Sequence, residues 1–387
     1  MNRPCCVMLV AAEASGDALG AGLARALKAR LGDDVRFVGA GGRQMAQAGV
    51  ASAFDIDDLS VVGLLEGALA FPRVLRRAGD LARLATREQP DLAVLIDSWG
   101  FSWFAAQRLR RAIPGLPLVK YVAPQVWATR PSRARALAKV YDHLLAIHAF
   151  EPPLFEREGV AVTFVGNPAL ARDMAGADPG RLRAELGIDA DDPILVVLPG
   201  SRASEIERLL EPFEAAVNLL KADRPDLQVI VPAAETVADL VKSRVAGWPH
   251  RAHVIEGEAS RLAAMRAATV ALACSGTVTT ELALAGCPMV VGYRLGRVTH
   301  FLARFIIRTP YITLVNIAAR ALVAPELIQD ACNGPALAAE LAHRLDDPAL
   351  AARQVAAQNA ALDLMGRGMG DPAERAADVV VGMLQRQ

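Results

Sequence analysis

"VLPGSRASEI", residues 197–206, passes from apolar residues through Pro-Gly-Ser-Arg into a segment of good helix formers. The pattern predicts a strand that stops at a tight loop and opens a helix, because Gly200 lets the backbone turn sharply. Taken with its flanks, "ILVVLPG" and "SRASEIERLL", it is one strand–loop–helix unit of a parallel α/β sheet. The same alternation runs along most of the chain. "CCVMLVAA", "VRFVGAGG", "LAVLID", "PLVKYVAP" and "HLLAIHAF" are the strands expected before it, and "LQVIVPAA", "HVIEG", "TVALACSG", "PMVVGY" and "YITLVN" those expected after it. Between the two series lies "ARDMAGADPGRLRAELGIDADDP", rich in Asp, Gly and Pro, which marks a domain boundary. The expectation is two doubly wound domains facing each other across a cleft, with ligands at the C-terminal ends of the strands. From about residue 334 the pattern is helical only.

Bulk properties narrow the function. The 387 residues, 53% of them apolar, suffice for two cores. Lys plus Arg and Asp plus Glu both number 42, so no net field draws nucleic acid, and that partner is not expected. Nearly all the cations are arginine, which favours forked contacts to phosphate or carboxylate. Cysteines 5, 6, 274, 287 and 332 have neither metal-ligand spacing nor a disulfide framework and read as reduced thiols. The N-terminal apolar run ends at Glu13 without a proper charged lead-in and cleavage site, and no run approaches the ~18 apolar residues of a spanning helix. A cytoplasmic location is expected.

Four strand-to-helix junctions carry more polar groups than a plain connection needs. In "AAEASGDALGAGLARAL", Ser15 or Asp17 can cap the helix that follows, whereas Glu13 lies at the strand tip, where a carboxylate points toward a ligand. In "LAVLIDSWGFSWFAAQRLRR", Asp97 stands at an equivalent tip, with helix capping as its competing role. At the opening stretch, Gly200, Ser201, the free N–H groups of the new helix and Arg202 make a phosphate-sized site. "CSGTVTTELALAG" repeats the design: Gly276 turns the chain, Ser275 and Thr277 offer hydroxyls, and Glu281 one turn on could accept both hydroxyls of a ribose. Each loop alone is compatible with ordinary capping; two in one half, beside an arginine, point to a nucleoside diphosphate. No GxxxxGK[ST] loop is present and the first turn is not GxGxxG, so neither a P-loop NTPase nor a dinucleotide enzyme is expected. No metal cluster and no cofactor are expected either, leaving helix N-termini and Arg202 to stabilise a leaving diphosphate.

The blocks "AAEASGDALGAGL", "YVAPQVWATRPSRA", "VGNP", "LPGSRASEIERL", "SGTVTTELALAGCPMVVGYR", "YITLVNIAA" and "VAPELIQD", in this order to about Gln329, resemble the lipid-A-disaccharide synthase family. The resemblance implies a GT-B-like inverting, metal-independent glycosyltransferase of Gram-negative bacteria. It implies UDP-2,3-diacylglucosamine as donor, 2,3-diacylglucosamine 1-phosphate as acceptor, and a β(1→6)-linked disaccharide plus UDP as products. It also implies peripheral attachment to the cytoplasmic face of the inner membrane; a homo-oligomer is left open. The limits expected are 1–170 for an acceptor-binding domain, 171–345 for a UDP-sugar domain, and 346–387 for helices packing across both. With the resemblance, Asp97 becomes the candidate base, and Glu13 and Ser15 orient acceptor or sugar. Gln125 and Trp127 shape the acceptor pocket, with plain core as the alternative for Trp127. Asn316 and Gln329 complete the sugar side.

Departures from the family pattern are "AEASGD" for "GEASGD", "IDSWGFS" for "IDAPDFN", "VGNP" for "VGHP" and "LVN" for "LPN". Gly100 thus replaces a second Asp, and Asp97 is the one carboxylate left in its block. Residues 59–84, apolar with Arg73, Arg76, Arg77 and Arg83, fit either a membrane-facing helix or a core helix. Competing functions are a peptidoglycan N-acetylglucosaminyltransferase, a UDP-N-acetylglucosamine 2-epimerase, or a catalytically silent sugar-nucleotide sensor.

Overall fold

A computed structural model describes residues 4–56, 64–126, 132–171, 174, 176–296 and 309–386, with the side chains of 64–70 left aside. The chain divides into two compact units, Met1–Pro168 with Met369–Gln387, and Ala169–Gly368. Each is a doubly wound α/β unit on an all-parallel six-stranded sheet.

The first sheet contains β1 (Cys5–Val10), β2 (Val35–Ala40), β3 (Leu92–Ile96), β4 (Leu118–Tyr121), β5 (His143–Ala146) and β6 (Ala161–Phe164), in the order β2-β1-β3-β4-β5-β6. The second contains β7 (Ile194–Leu198), β8 (Gln228–Pro232), β9 (His253–Ile255), β10 (Val270–Ala273), β11 (Met289–Tyr293) and β12 (Glu326–Ile328), in the order β12-β11-β10-β7-β8-β9. Central strands such as β3 and β7 are buried at every residue, as parallel strands covered by helices on both faces must be. The helix Ala203–Asp223 shows how the covering works. Ile206, Leu209, Leu210, Phe213, Ala216, Val217 and Leu220 recur at three- and four-residue spacing and are all buried against the sheet. All five cysteines are free, and four are buried.

Strand order sets where ligands can enter. In the first sheet the chain winds one way from β1 to β2 and the other way from β1 to β3; in the second it reverses between β7 and β10. A crevice opens beyond the strand tips at such a reversal, because the two helices leaving those strands depart on opposite faces.

Two local expectations need correction. "YITLVN" is not a strand: Leu314–Ala319 is helical, and the edge strand is Glu326–Ile328 instead. The Glu326 carboxylate accepts from the backbone N–H of Ile312 and Thr313 at 2.9 and 2.8 Å, satisfying donors that a strand would need a neighbour for. Asp17 does not cap its own helix. It accepts from the N–H groups of Gly42, Gln44 and Met45 at 2.7–3.0 Å and so caps the helix Arg43–Gln47.

The C-terminal helices separate. Pro348–Leu364 is pinned in the second unit, where Gln354 and Gln358 donate to the carbonyls of Met289 and Cys287 at 2.7 and 2.9 Å. Pro372–Leu384 belongs to the first, burying Ala376, Ala377 and Val380 against Ala14–Leu31 while Arg30 pairs with Asp378 at 2.7 Å. The helix Leu64–Glu88 faces the core with Ala78, Leu81 and Ala85; residues 57–63 and the side chains of Leu64, Leu65 and Leu69, on which the membrane reading rests, lie outside what is described.

Candidate functional site

In the first unit the site forms at the tips of β1 and β3. The chain leaves β3 through a turn in which Asp97 and Ser98 both take left-handed backbone, φ 50° and 37°. Such conformations cost of order 1–3 kcal/mol each and persist where surrounding structure imposes them. Ser98 is the N-cap of the helix Trp99–Ala112 and makes no side-chain cap, so Asp97 is not spent on capping. Its carboxylate instead accepts from Ser15 Oγ at 2.9 Å, across 82 residues of chain. Gly16 packs closely behind this pair: a Cβ there would stand 3.3 Å from Ala11 Cβ, with the Ile96 carbonyl and Asp97 Cβ at ordinary contact distance. Glu13, the N-cap of Ala14–Leu31, also makes no side-chain cap and is exposed beside this pair. The structure therefore brings Glu13, Ser15 and Asp97 together. Gln125 lies exposed in the loop after β4, and Trp127 lies outside the described residues.

Beneath Asp97, sequence reasoning missed a buried cation. Lys120 on β4 is 1% exposed, and its Nζ donates to the Asp97 carbonyl, to Ser102 Oγ at 3.2 Å and to the Leu95 carbonyl at 3.4 Å. Burial pushes its amine down to about 7, a fall opposed by Asp97 and Glu13. Within "PLVKYVAP" the only signal was one lysine in an otherwise apolar strand.

In the second unit, a cavity of about 660 Å³ opens at the reversal between β7 and β10. That volume lies in the range of small-molecule sites. Gly200, Ser201 and Arg202 line one side, and Ser275, Gly276, Thr277 and Glu281 another, so these seven expected residues converge. The helices Ala203–Asp223 and Thr277–Leu284 both begin at its wall, with their unpaired N–H groups and positive dipole ends. Thr277 is exposed there, while Ser275 Oγ donates to the Ile312 carbonyl at 3.1 Å.

Four of the charges lining this cavity are already partnered among themselves. Glu205 folds back so that its carboxylate accepts from Ser201 N–H at 3.2 Å and from Arg202 Nη1 at 3.2 Å. Gly200, at φ +122°, is needed for that fold, since a Cβ would come within 2.5 Å of Glu205 Oε2. Glu281, its side chain 4% exposed, is paired with Arg261 from the helix Glu258–Ala267 instead of waiting open for a ribose. Arg261 and Glu205 were not anticipated; Glu205 stands three residues from Arg202 at one helix start, a local spacing, whereas Arg261, 20 residues from Glu281, gains meaning only once the two segments are adjacent.

The last two expected residues act on the protein itself. Asn316 is fully buried and its amide is saturated: it donates to the Ala324 carbonyl and Glu326, and accepts from the N–H groups of Val323 and Ala324, all at 2.8–2.9 Å. No capacity remains for a sugar. Gln329 accepts from Leu295 N–H at 2.5 Å and so holds the segment leaving β11.

The family model of lipid-A-disaccharide synthetase matches residues 7–380. A lipid-A-disaccharide synthase of Rhodospirillum centenum is 41% identical over 385 residues, covering 100% of this chain and 96% of its own. One of Rhodopseudomonas palustris is 42% identical over 379 residues, covering 98% and 95%. Among solved structures, a UDP-GlcNAc 2-epimerase of Neisseria meningitidis bound to UDP-GlcNAc superposes with a TM-score of 0.63 at 12% identity, covering 99% and 100% of the two chains. A glycosyltransferase of Rickettsia africae does so with 0.60 at 12%, covering 100% of both. These distant structures share the fold, two Rossmann-like units, whereas the full-length relatives share the sequence blocks as well. The chain belongs to the lipid-A-disaccharide synthetase family of glycosyltransferases.

Proposed function

We propose that this chain moves 2,3-diacylglucosamine from UDP-2,3-diacylglucosamine to the 6-hydroxyl of 2,3-diacylglucosamine 1-phosphate, with inversion and without a metal ion. The observation that carries the reading is the Ser15–Asp97 hydrogen bond at the tips of β1 and β3, which holds an uncapped carboxylate where a ligand can reach it. Inversion needs the acceptor oxygen to attack the anomeric carbon from the face opposite UDP. As the new C–O bond forms, the hydroxyl proton passes to Asp97 and the bond to the β-phosphate breaks, its electron pair leaving with UDP. Ser15 orients the carboxylate, Glu13 at the neighbouring strand tip serves the acceptor, and Gln125 in the loop after β4 is assigned to the acceptor pocket. Arg202, Ser201 N–H and the N-terminus of Thr277–Leu284 stabilise the departing diphosphate, in place of a bound cation. For Arg202 to serve the phosphate, Glu205 must release it.

No described helix is long and apolar enough to cross a membrane. Attachment to the inner-membrane surface is proposed through residues 59–84, where Phe71 is 45% exposed and Arg73, Arg76 and Arg83 face solvent. The test is to mix the protein with both lipid substrates, with and without EDTA, and to measure product mass and anomeric configuration. A β-linked disaccharide 1-phosphate with one UDP released per transfer, unchanged by EDTA, is expected. UDP-sugar binding without product would favour a sensor; an α-linked product would overturn inversion; loss in EDTA restored by Mg²⁺ would overturn metal independence.

A further inference from the structure

The least economical feature of the first unit is Lys120. A methionine or leucine would fill the same space in β4 without the cost of burying an amine. Strand register explains its reach: Lys120 pairs with Leu95 on β3, one step before Ile96 pairs with Tyr121, so its side chain lies under the strand tip. Both carbonyls it meets, those of Leu95 and Asp97, belong to that tip. Its third partner, Ser102 Oγ, itself donates to the Asp97 carbonyl at 2.7 Å, and Tyr141 Oη holds the Ser102 carbonyl at 2.9 Å. From the other side, Asp97 N–H donates to the Tyr121 carbonyl at 2.9 Å. The left-handed turn is thus gripped through its backbone, while the carboxylate, held by Ser15 Oγ, is left to face a ligand. The charged groups that face the amine are Asp97, from the end of β3, and Glu13, from the end of β1; Ser102 and Tyr141, from the helix side, are neutral.

We propose that Lys120 is a positioning residue for the transfer reaction, clamping the Asp97–Ser98 turn through the Asp97 carbonyl and placing an amine beneath its carboxylate. The proposal rests on Asp97 being the base. Coulombic attraction couples the buried amine to the Asp97 and Glu13 carboxylates.

Lys120→Met is the direct test, read by kcat, KM and the acid limb of the kcat/KM profile. The expected result is kcat down about 10- to 100-fold with KM for the UDP-sugar within about threefold, as for a misplaced catalytic group. The acid limb should also move up, because a cation beside the base is lost. Lys120→Gln keeps an N–H for the carbonyl but no charge, so it should recover part of kcat while showing the same limb shift. A residue that only fills space would lower the melting temperature and leave the limb in place. Wild-type kcat and an unmoved limb in folded Lys120→Met would overturn the proposal. Should Lys120→Met and Lys120→Gln not fold, Ser102→Ala reads the clamp through the hydroxyl that Lys120 and Asp97 share: a kcat decrease of about 3- to 10-fold at constant KM supports it, and wild-type kcat refutes it. Asp97→Asn is run in parallel. Retained turnover there would remove the base assignment itself, whereas lost turnover there with wild-type Lys120 variants would remove only the role of Lys120.

Discussion

Replacing Asp97 with Asn separates proton transfer from every structural role of that residue. Asn tolerates the left-handed backbone as well as Asp does, so φ 50° adds no new strain. Its side-chain oxygen can still accept from Ser15 Oγ, at 2.9 Å in the native protein, so the change is from a charged to a neutral acceptor. That costs about 1 kcal/mol or less. No helix cap is lost, because Ser98 holds the cap position. The carbonyl contacts of Lys120 and Ser102 are to the backbone and survive. A stability change of about 1 kcal/mol corresponds to a melting shift of about 2–4 °C for units of this size. UDP affinity should not change, since the described residues lining the cavity of Gly200, Arg202 and Thr277 all belong to the second unit. Turnover is different. An amide cannot take the acceptor's proton, and a positioned base contributes about 10²- to 10⁴-fold, or about 2.7–5.5 kcal/mol of barrier. Product formation by mass spectrometry, melting temperature and UDP calorimetry on one preparation measure all three. Turnover within about threefold of native, in a protein that melts and binds UDP normally, would refute the assignment and make Glu13 the next residue to change.

Arg202→Ala should weaken UDP binding by about 1.5–3 kcal/mol, the range of a charge-assisted contact, while hardly altering stability because the Arg202 side chain is 69% exposed in its pair with Glu205. Unchanged affinity by calorimetry would remove the diphosphate assignment. Asn316→Ala should lower unfolding stability by about 3 kcal/mol or more, since the N–H groups of Val323 and Ala324, the Ala324 carbonyl and Glu326 each lose a buried partner. A denaturation midpoint equal to native would show that these groups find other partners, and a selective rise in KM for the sugar without destabilisation would return Asn316 to the substrate.

Much of this architecture is legible without coordinates because its determinants are local. Apolar runs, broken by Gly and polar turn residues and followed by helical periodicity, mark β1–β5 and β7–β11 but not the edge strands β6 and β12, and the three residues of β12 carry no periodicity of their own. The same locality exposes Glu13, Asp97, Gly200–Arg202 and Ser275–Thr277, since a polar group at a strand tip stands out against its neighbours. Tertiary structure decided which tips meet. Only the strand order makes β1 adjoin β3 and β7 adjoin β10, and only that adjacency joins Ser15 to Asp97 and gathers the two phosphate-type loops around one cavity. It also decided what each polar group faces. Asp17 turned to a neighbouring helix, Glu281 to Arg261, Glu205 to Ser201 and Arg202, and Asn316 to the segment 323–326. A side chain's partner depends on distances that sequence spacing does not encode, so the residue types were readable in the chain while their engagements, Lys120 beneath Asp97 above all, arose only when the sheets closed around them.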